Sequence, residues 1–186
     1  LGPEGLKEIS EQAVLNANNA AGDDSITFQP GLSGTITLTS GQITISSNLT
    51  IDGAGSKGLA ISGNNASVIL VIEAGSNVSL NQLILKEGLR SYRGGGIDNS
   101  GTLMISNSTL SDNTAGYYGG GVYNQANGTL TITNSTFSNN KSQQHGSGGG
   151  VYNDGTLTVT SSTFRNNAAQ YYGGGIDNRG TLPVIN

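Results

Sequence analysis

Apolar and polar residues alternate in short runs along most of the chain, and from residue 94 onward the pattern repeats. Each repeat reads Gly-Gly-Gly-(Ile/Val), then Thr-Leu-x-(Ile/Val), then Ser-Thr-(Leu/Phe), and the copies begin at Gly94, Gly119, Gly148 and Gly173, the last being incomplete. Alternation of this kind predicts half-buried β-strands. Gly, Asn, Asp and Ser separate the runs, and these residues favour turns. The sequence therefore predicts three short strands in each repeat.

The length of the repeat indicates its architecture. Successive copies start 25, 29 and 25 residues apart by their residue numbers. A period between about 20 and 50 residues is typical of solenoids and propellers, and a propeller blade needs about 40 residues or more and four strands. Three strands in about 25 residues fit one coil of a parallel β-helix, in which each strand pairs with its copy in the next coil at roughly 4.8 Å. We therefore predict an all-β protein, a right-handed single-stranded parallel β-helix with three strands per coil and about seven coils.

We expect one β-helix domain over residues 1–186. Residues 1–24 form a cap, residues 25–93 irregular coils, and residues 94–186 regular repeats that are truncated at the C-terminus. The chain is therefore expected to be a segment of a longer protein.

Alternation along each strand predicts columns of buried side chains, because like residues lie over one another in successive coils. The inward columns are Leu103, Leu130, Leu157 and Leu182; Ile105, Ile132, Val159 and Val184; Leu110, Phe137 and Phe164; and Ile97, Val122, Val151 and Ile176. Two asparagine columns are predicted at turns, with amides bonded from coil to coil. They are Asn113, Asn140 and Asn167, and Asn99, Asn124, Asn153 and Asn178.

The N-terminal residues 4–20 predict the one convincing helix, with an apolar face at helical spacing. That face is formed by Leu6, Ile9, Ala13, Ala17 and Ala20, while Leu15 lies off it. An open β-helix end exposes unpaired strand edges and apolar core, and solenoids therefore need caps. We expect this helix to cover the first coil.

Composition narrows the range of partners. The chain has a formal net charge of −4, with only eight Lys and Arg residues that form no stripe, so nucleic acid and anionic membranes are poor partners. It has no cysteine and therefore no disulfide or metal–thiolate site. No apolar run approaches the roughly 18 residues of a spanning helix. We expect no cofactor, no metal and no membrane insertion by this segment.

The candidate site lies beside the glycine triplets, where all seven tyrosines are found within two residues of a triplet. With Val122 and Val151 inward, one outward column reads Asp98, Tyr123, Tyr152, Asp177. Exposed aromatic rings flanked by carboxylates can hold a sugar chain, ring on pyranose and acid on hydroxyls. The predicted ligand-binding residues are Tyr92, Asp98, Tyr117, Tyr118, Tyr123, Tyr152, Tyr171, Tyr172 and Asp177. The alternative is that the tyrosines are cross-strand neighbours that only add stability.

The repeats resemble those of a known family. Gly-Gly-Gly-(Ile/Val) followed by Phe-Ser-Asn-Asn at 137–140 and Phe-Arg-Asn-Asn at 164–167 is similar to the paired GGA(I/L/V) and FxxN repeats of polymorphic outer-membrane proteins. The segments at 5–8, 16–18 and 24–28 resemble the CSLREA-type segment that precedes such repeats in bacterial surface proteins. The third glycine replaces the family alanine, Leu110 stands where Phe is expected, and the leading Cys is missing.

This resemblance implies a β-helical surface passenger linked to adhesion. The expected function is a non-catalytic scaffold of a secreted, cell-surface or outer-membrane bacterial protein. Its expected partner is an extracellular polysaccharide or the surface of a host or neighbouring cell.

Two other functions remain open. Parallel β-helices also include polysaccharide lyases and glycoside hydrolases. However, Asp98 and Asp177 would lie three coils apart, about 14 Å, which exceeds the spacing of a glycosidase carboxylate pair. The only histidine, His145, lies in an inserted loop and is interpreted as a solvated residue.

Ice binding is the second alternative. It would use a threonine grid at 129, 131, 133, 156, 158 and 160, with 35, 37 and 39 below it, although Met104 and Pro183 interrupt the grid.

Overall fold

The structure, a computed structural model, describes residues 3–183, with side chains from residue 11 onward. Within this range one helix, α1 (Pro3–Asn19), precedes a succession of short β-strands, all paired in parallel. The strands form three long sheets, here called I, II and III, and a fourth, sheet IV, made of two-residue strands.

The sheets run along the axis of the coil, and the chain visits them in the order I, II, IV and III in the repeat region. Sheet I contains β1 (Asp23–Thr27), β4 (Asn48–Asp52), β7 (Asn77–Asn81), β11 (Thr102–Ser106), β15 (Thr129–Thr133) and β19 (Thr156–Thr160). Sheet II contains β2 (Thr35–Thr37), β5 (Ala60–Ser62), β8 (Ile84–Lys86), β12 (Thr109–Ser111), β16 (Thr136–Ser138) and β20 (Thr163–Arg165). Sheet III contains β3 (Ile43–Ile45), β6 (Leu70–Ile72), β10 (Ile97–Asn99), β14 (Val122–Asn124), β18 (Val151–Asn153) and β22 (Ile176–Asn178). Sheet IV contains β9 (Leu89–Arg90), β13 (Thr114–Ala115), β17 (Lys141–Ser142) and β21 (Ala168–Ala169).

This arrangement is a right-handed parallel β-helix, which confirms the predicted fold class. Sheets I, II and III each hold six strands, so the described chain makes about six coils where about seven were expected. The sequence did not predict sheet IV, because a two-residue strand is too short to show an alternating pattern.

The buried columns form as predicted. Leu103, Leu130 and Leu157 lie in register on neighbouring strands of sheet I and are at most 1% exposed. Phe137 and Phe164 stack with ring centroids 4.8 Å apart. Toward the last coil the columns become less covered: Val159 is partly buried and Leu182 is 48% exposed, so Leu182 does not occupy the buried position predicted for it. Val184 lies outside the described residues.

Both predicted asparagine ladders are present. Side-chain amides donate along the axis in two series: Asn99 to Asn124, Asn124 to Asn153 and Asn153 to Asn178 at 2.6–2.7 Å, and Asn113 to Asn140 and Asn140 to Asn167 at 2.9–3.0 Å. Each buried amide also bonds to a backbone carbonyl, as Asn124 does to Gly128 and Thr156. The Asn113 series lies at turns as predicted, whereas the Asn99 series occupies the last residue of each sheet III strand from β10 onward. The ladders tie each coil to the next and satisfy polar groups that would otherwise be costly to bury.

Helix α1 packs on the first coil, as expected of a cap. Val14 and Ala17 are buried in the core, and the amide of Asn18 donates to the Thr44 carbonyl at 2.8 Å. The helical spacing does not place Val14 on the apolar face, yet Val14 is buried. It does place Ala20 on that face, yet Ala20 is exposed. Ala20 follows the last residue of the helix, so helical spacing no longer sets its direction. The predicted contacts of Leu6 and Ile9 lie outside the described side chains.

The threonine grid is only partly as expected. Thr129, Thr131 and Thr133 lie in register with Thr156, Thr158 and Thr160 on sheet I. Residues 35–37 belong to sheet II, a different face, so the part of the grid expected below is not there. The difference arises because the chain enters the first coil at β1, which takes the sheet I position ahead of β2.

Candidate functional site

The predicted Tyr/Asp column exists, but it is not exposed. Asp98, Tyr123, Tyr152 and Asp177 lie in register on the outer face of sheet III. Tyr123 is 7% exposed, Tyr152 5% and Asp98 3%. The prediction that this column presents a free surface is therefore wrong, because another layer of the protein covers it.

That layer is formed by the segments between sheet IV and sheet III, here called the arc loops, at 91–96, 116–121, 143–150 and 170–175. Each arc loop folds back closely on the neighbouring backbone. A Cβ placed on Gly120 would lie 2.4 Å from the carbonyl oxygens of Lys141 and Gly149, closer than real Cβ contacts. Gly119 has a φ of +64°, the left-handed region that glycine enters at little cost. The glycine triplets therefore allow the tyrosines that precede them to lie over the column.

Aromatic rings and guanidinium groups form the cover. The Tyr118 ring lies 4.6 Å from Tyr152 and 6.4 Å from Tyr123, centroid to centroid, and Tyr123 and Tyr152 stack at 5.5 Å. The guanidinium of Arg93 lies 5.0 Å from the Tyr123 ring centre, and that of Arg179 lies 5.4 Å from the Tyr152 ring centre. Such cation–π contacts stabilise both partners.

The carboxylates of the column are paired within the protein. Asp98 accepts from Arg90 at 2.6 Å and from Gln125 at 2.7 Å, with Arg93 at 4.0 Å. Asp177 lies 3.5 Å from Arg179, and its side chain is 14% exposed. Arginines thus lie beside both carboxylates of the column, although the buried Oδ2 of Asp177 accepts no hydrogen bond from the described residues.

Burial also changes the acidity of the two covered tyrosines. Loss of hydration raises the pKa of Tyr123 to about 12, and the hydrogen bond that its hydroxyl donates to Asp154 at 2.9 Å adds to this effect. Burial and the nearby Asp154 carboxylate raise the pKa of Tyr152 to about 12. Both phenols stay neutral at physiological pH, consistent with a structural role in this layer.

Other aromatic side chains on the arc loops do reach solvent. Tyr92 is 53% exposed, Tyr171 59% and Tyr172 63%. Tyr117 is partly exposed and packs against Tyr92 at 5.4 Å. Of the predicted tyrosines, Tyr92, Tyr171 and Tyr172 are exposed, whereas Tyr123 and Tyr152 are buried; ligand binding by any of them stays a prediction.

His145 belongs with these exposed rings, although it is not among the residues predicted for the site. The arc loop that holds it is two residues longer than the other three, and within it Ser147 pairs with Tyr118. The His145 ring packs against Tyr171 at 4.9 Å. We call Tyr92, Tyr117, His145 and Tyr171, one from each of four successive coils, the aromatic row. A signal was available: the only histidine coincides with the only arc loop that lacks tyrosine.

A shallow groove of about 330 Å³ lies at the C-terminal end of the aromatic row, next to His145 and Tyr171. It is lined by Lys141, Ser142, Gln143, Gln144, Ala168, Ala169 and Gln170. The Gln170 side-chain oxygen accepts from the His145 backbone N–H, so its NH₂ group remains a donor. The groove is therefore rich in hydrogen-bond donors next to an exposed ring.

On this face the acidic side chains of the column are mostly buried and the basic side chains are more exposed. The acidic members, Asp98 and Asp177, have side chains only 5% and 14% exposed. The basic side chains of Arg93 and Arg179 are 38% and 50% exposed, and Lys141 is exposed as well. The face therefore presents positive groups to solvent on a chain whose net charge is −4.

Among residues 11–183, whose side chains the structure describes, no group of three or more His, Asp or Glu side chains is placed to hold a metal ion. Over the same described part of the chain, no helix has the length and apolar character of a membrane span.

Fold and surface together define a parallel β-helix repeat protein whose coils carry an aromatic layer on one face. The repeats have a family assignment: a family model for the Chlamydia polymorphic membrane protein repeat matches residues 134–154 and 161–179. The chain thus carries polymorphic-membrane-protein-type repeats on a β-helix, and such repeats indicate an outer-membrane or surface location. No curated protein and no solved structure matches the chain significantly.

Proposed function

We propose that this β-helix is a non-catalytic, adhesin- or passenger-type scaffold, secreted or held at the cell surface, that contacts glycans through its aromatic row and the adjoining Tyr172. The observation that carries the proposal is the row itself. Tyr92, Tyr117, His145 and Tyr171 place one ring in each of four successive coils, and neighbouring coils are spaced at about 4.8 Å.

Exposed aromatic rings suit sugars because a pyranose presents a C–H face that packs on a ring, while its hydroxyls need polar neighbours. The row offers both. Tyr171 and Tyr172 are more than half exposed, and the groove beside them holds the side chains of Gln143, Gln144 and Gln170. A linear polymer lying along the β-helix axis would meet rings and donors repeatedly, which favours an extended glycan over a small molecule.

The same geometry favours binding over cleavage. Glycoside hydrolysis needs two carboxyl groups about 5–10 Å apart that face the substrate. On this face Asp98 is buried beneath its arginine partners and Asp177 is paired with Arg179. Incubation with linear polysaccharides, pectins included, is therefore expected to release neither reducing ends nor unsaturated sugars.

A glycan array tests the proposed contact. The variant Tyr171→Ala/Tyr172→Ala is expected to lose binding at least about tenfold, since two stacking contacts of roughly 1 kcal/mol each are removed. Met104→Ala is the matched control, because Met104 is a 48% exposed apolar side chain on sheet I, away from the arc loops. Circular dichroism checks that all variants retain the β-helix. Equal binding by the two variants would remove the aromatic row as the contact surface.

A further inference from the structure

We infer that the sugar bound beside the aromatic row is acidic. The groove next to His145 and Tyr171 takes a hexuronate unit of a linear polysaccharide. This inference rests on the proposed function and adds the chemical class of the ligand. It starts from Lys141, which is exposed and lines the groove, and which forms no ion pair with residues 11–183.

The groove supplies the contacts that a sugar carboxylate needs. Lys141 offers an ammonium group, and the side-chain amides of Gln143, Gln144 and Gln170 offer N–H donors around it. The Gln170 oxygen is already engaged by the His145 backbone, which turns its amide toward a donating role. Charge-assisted hydrogen bonds to a carboxylate are roughly twice as strong as neutral ones, so an acidic ligand gains most here.

The ring of the same sugar can rest on a neighbouring aromatic group. Tyr171 is 59% exposed and packs against His145, and Gln170, its neighbour in the chain, lines the groove. One sugar can therefore place its face on Tyr171 and its carboxylate toward Lys141. Lys141 is the only cation that lines the groove, and one positive charge matches a sugar with a single carboxylate better than a multiply sulfated one.

The charge of the whole face supports the same class of ligand. On this face Asp98 is buried and Asp177 is paired with Arg179, and the partly exposed Asp154 accepts from the Tyr123 hydroxyl, while Arg93, Lys141 and Arg179 are at the surface. An acidic polymer lying along the row meets positive groups in several coils. Sheet I differs: its outward positions carry Asp23 and Asp52 and hold no Lys or Arg.

The experiment measures binding of the 186-residue chain to polygalacturonate and to the same polymer as its methyl ester. The two share backbone and hydroxyls and differ at the carboxyl group, which is charged in the acid and a neutral methyl ester in the other. We expect the acid to bind at least about tenfold more tightly than the ester at low salt, and the difference to shrink as salt is added. Dextran sulfate and neutral dextran complete the set.

The protein variants are Lys141→Gln and Lys57→Gln. Lys57 is also exposed but lies on the loop between β4 and β5, away from the arc loops, and so serves as the control. Lys141→Gln is expected to weaken binding of the acid about tenfold and leave binding of the ester unchanged, whereas Lys57→Gln changes neither.

Three results of these measurements would contradict the acidic-sugar inference. Equal binding of acid and ester, or equal effects of the two lysine variants, overturns the acidic-sugar inference. If the chain still binds neutral sugars and loses them on Tyr171→Ala, the proposed glycan contact survives that failure. Tighter binding of dextran sulfate than of polygalacturonate assigns the groove to sulfated sugars and also overturns the hexuronate assignment.

Discussion

The ring of Tyr118 lies across that of Tyr152, with centroids 4.6 Å apart, although the two residues occupy neighbouring coils and different parts of the repeat. Tyr118 belongs to an arc loop and Tyr152 to β18 on sheet III. This contact joins the outer layer to the sheet beneath it. It explains why Tyr123 and Tyr152 are buried although they point outward from sheet III, away from the core of the β-helix.

The alkaline limit of stability should reflect the two covered tyrosines. Tyr123 and Tyr152 have a pKa of about 12 in the folded chain, against about 10 for tyrosine in an unfolded chain. Above pH 10 the unfolded state loses these protons while the folded state keeps them. Stability is therefore unaffected below pH 10 and falls as the pH rises from about 10 to 12.

Denaturant unfolding at a series of pH values measures this loss. In the variant Tyr123→Phe/Tyr152→Phe the decline between pH 10 and 12 should be less steep, because the two groups responsible are gone. Absorbance of tyrosinate gives the folded-state titration directly. A decline of the same steepness in both proteins would contradict the assignment to these residues.

The asparagine ladder should be costly to interrupt. Asn124 accepts from Asn99 at 2.7 Å and donates to Asn153 at 2.6 Å, and it is fully buried. Asn124→Ala leaves several of its neighbours' polar groups unpaired, and we expect a loss of about 2–3 kcal/mol in the free energy of unfolding. Urea unfolding checks this. Asn127→Ala, on an exposed position of the following turn, should stay within about 0.5 kcal/mol of the parent.

The third glycine of the triplet should tolerate alanine in one coil and not in another. A Cβ on Gly150 would lie 2.5 Å from the Gly175 carbonyl oxygen, whereas the nearest atom to a Cβ on Gly175 is Phe164 Cβ at 3.5 Å. Gly150→Ala is therefore expected to destabilise the chain by about 1–3 kcal/mol. Gly175→Ala should be neutral, or stabilising by up to about 1 kcal/mol through the unfolded state. Thermal unfolding of the two variants side by side decides the point, and the reverse order of stability would contradict the packing argument.

The buried ion pair should depend on both partners. Arg90 lies 2.6 Å from Asp98, and their side chains are 35% and 5% exposed. Arg90→Ala removes the closest cation from a buried carboxylate, and we expect a loss of about 2 kcal/mol, less than for a fully buried pair because the arginine is partly hydrated. In an Asp98→Asn background the same substitution should cost little. The comparison variant is Arg179→Ala, whose partner lies 3.5 Å away and whose side chain is 50% exposed, with an expected cost below about 1 kcal/mol.

Much of this architecture is readable from the sequence. The period predicts that Leu103 lies next to Leu130 and Asn99 next to Asn124 in the following coil, and both pairs form in register. Those predictions succeed because strand alternation and coil stacking are local rules that each repeat obeys in the same way. They also put Tyr123 and Tyr152 correctly on the outer face of sheet III.

The alternation of apolar and polar residues could not predict the layer of arc-loop side chains that covers sheet III. Period-two patterning says which side of a strand a residue occupies, but not whether another segment covers that side. The cover over Tyr152 is made by Tyr118 and Arg179, which arrive from an arc loop and from the turn after β22. Their approach depends on backbone packing at glycines such as Gly120, which no side-chain pattern records. The same reasoning missed His145, since its ring is brought to Tyr171 by a loop of different length.

The longer arc loop at 143–150 shows where this scaffold can accept change. Its added length is taken up entirely outside the sheets, and β18 still pairs with β14 residue for residue. A repeat array built this way separates recognition from folding: insertions at one corner of a coil can alter which rings and donors meet a partner, while the strands beneath keep their neighbours. Diversification, natural or engineered, would therefore be expected to concentrate at that corner.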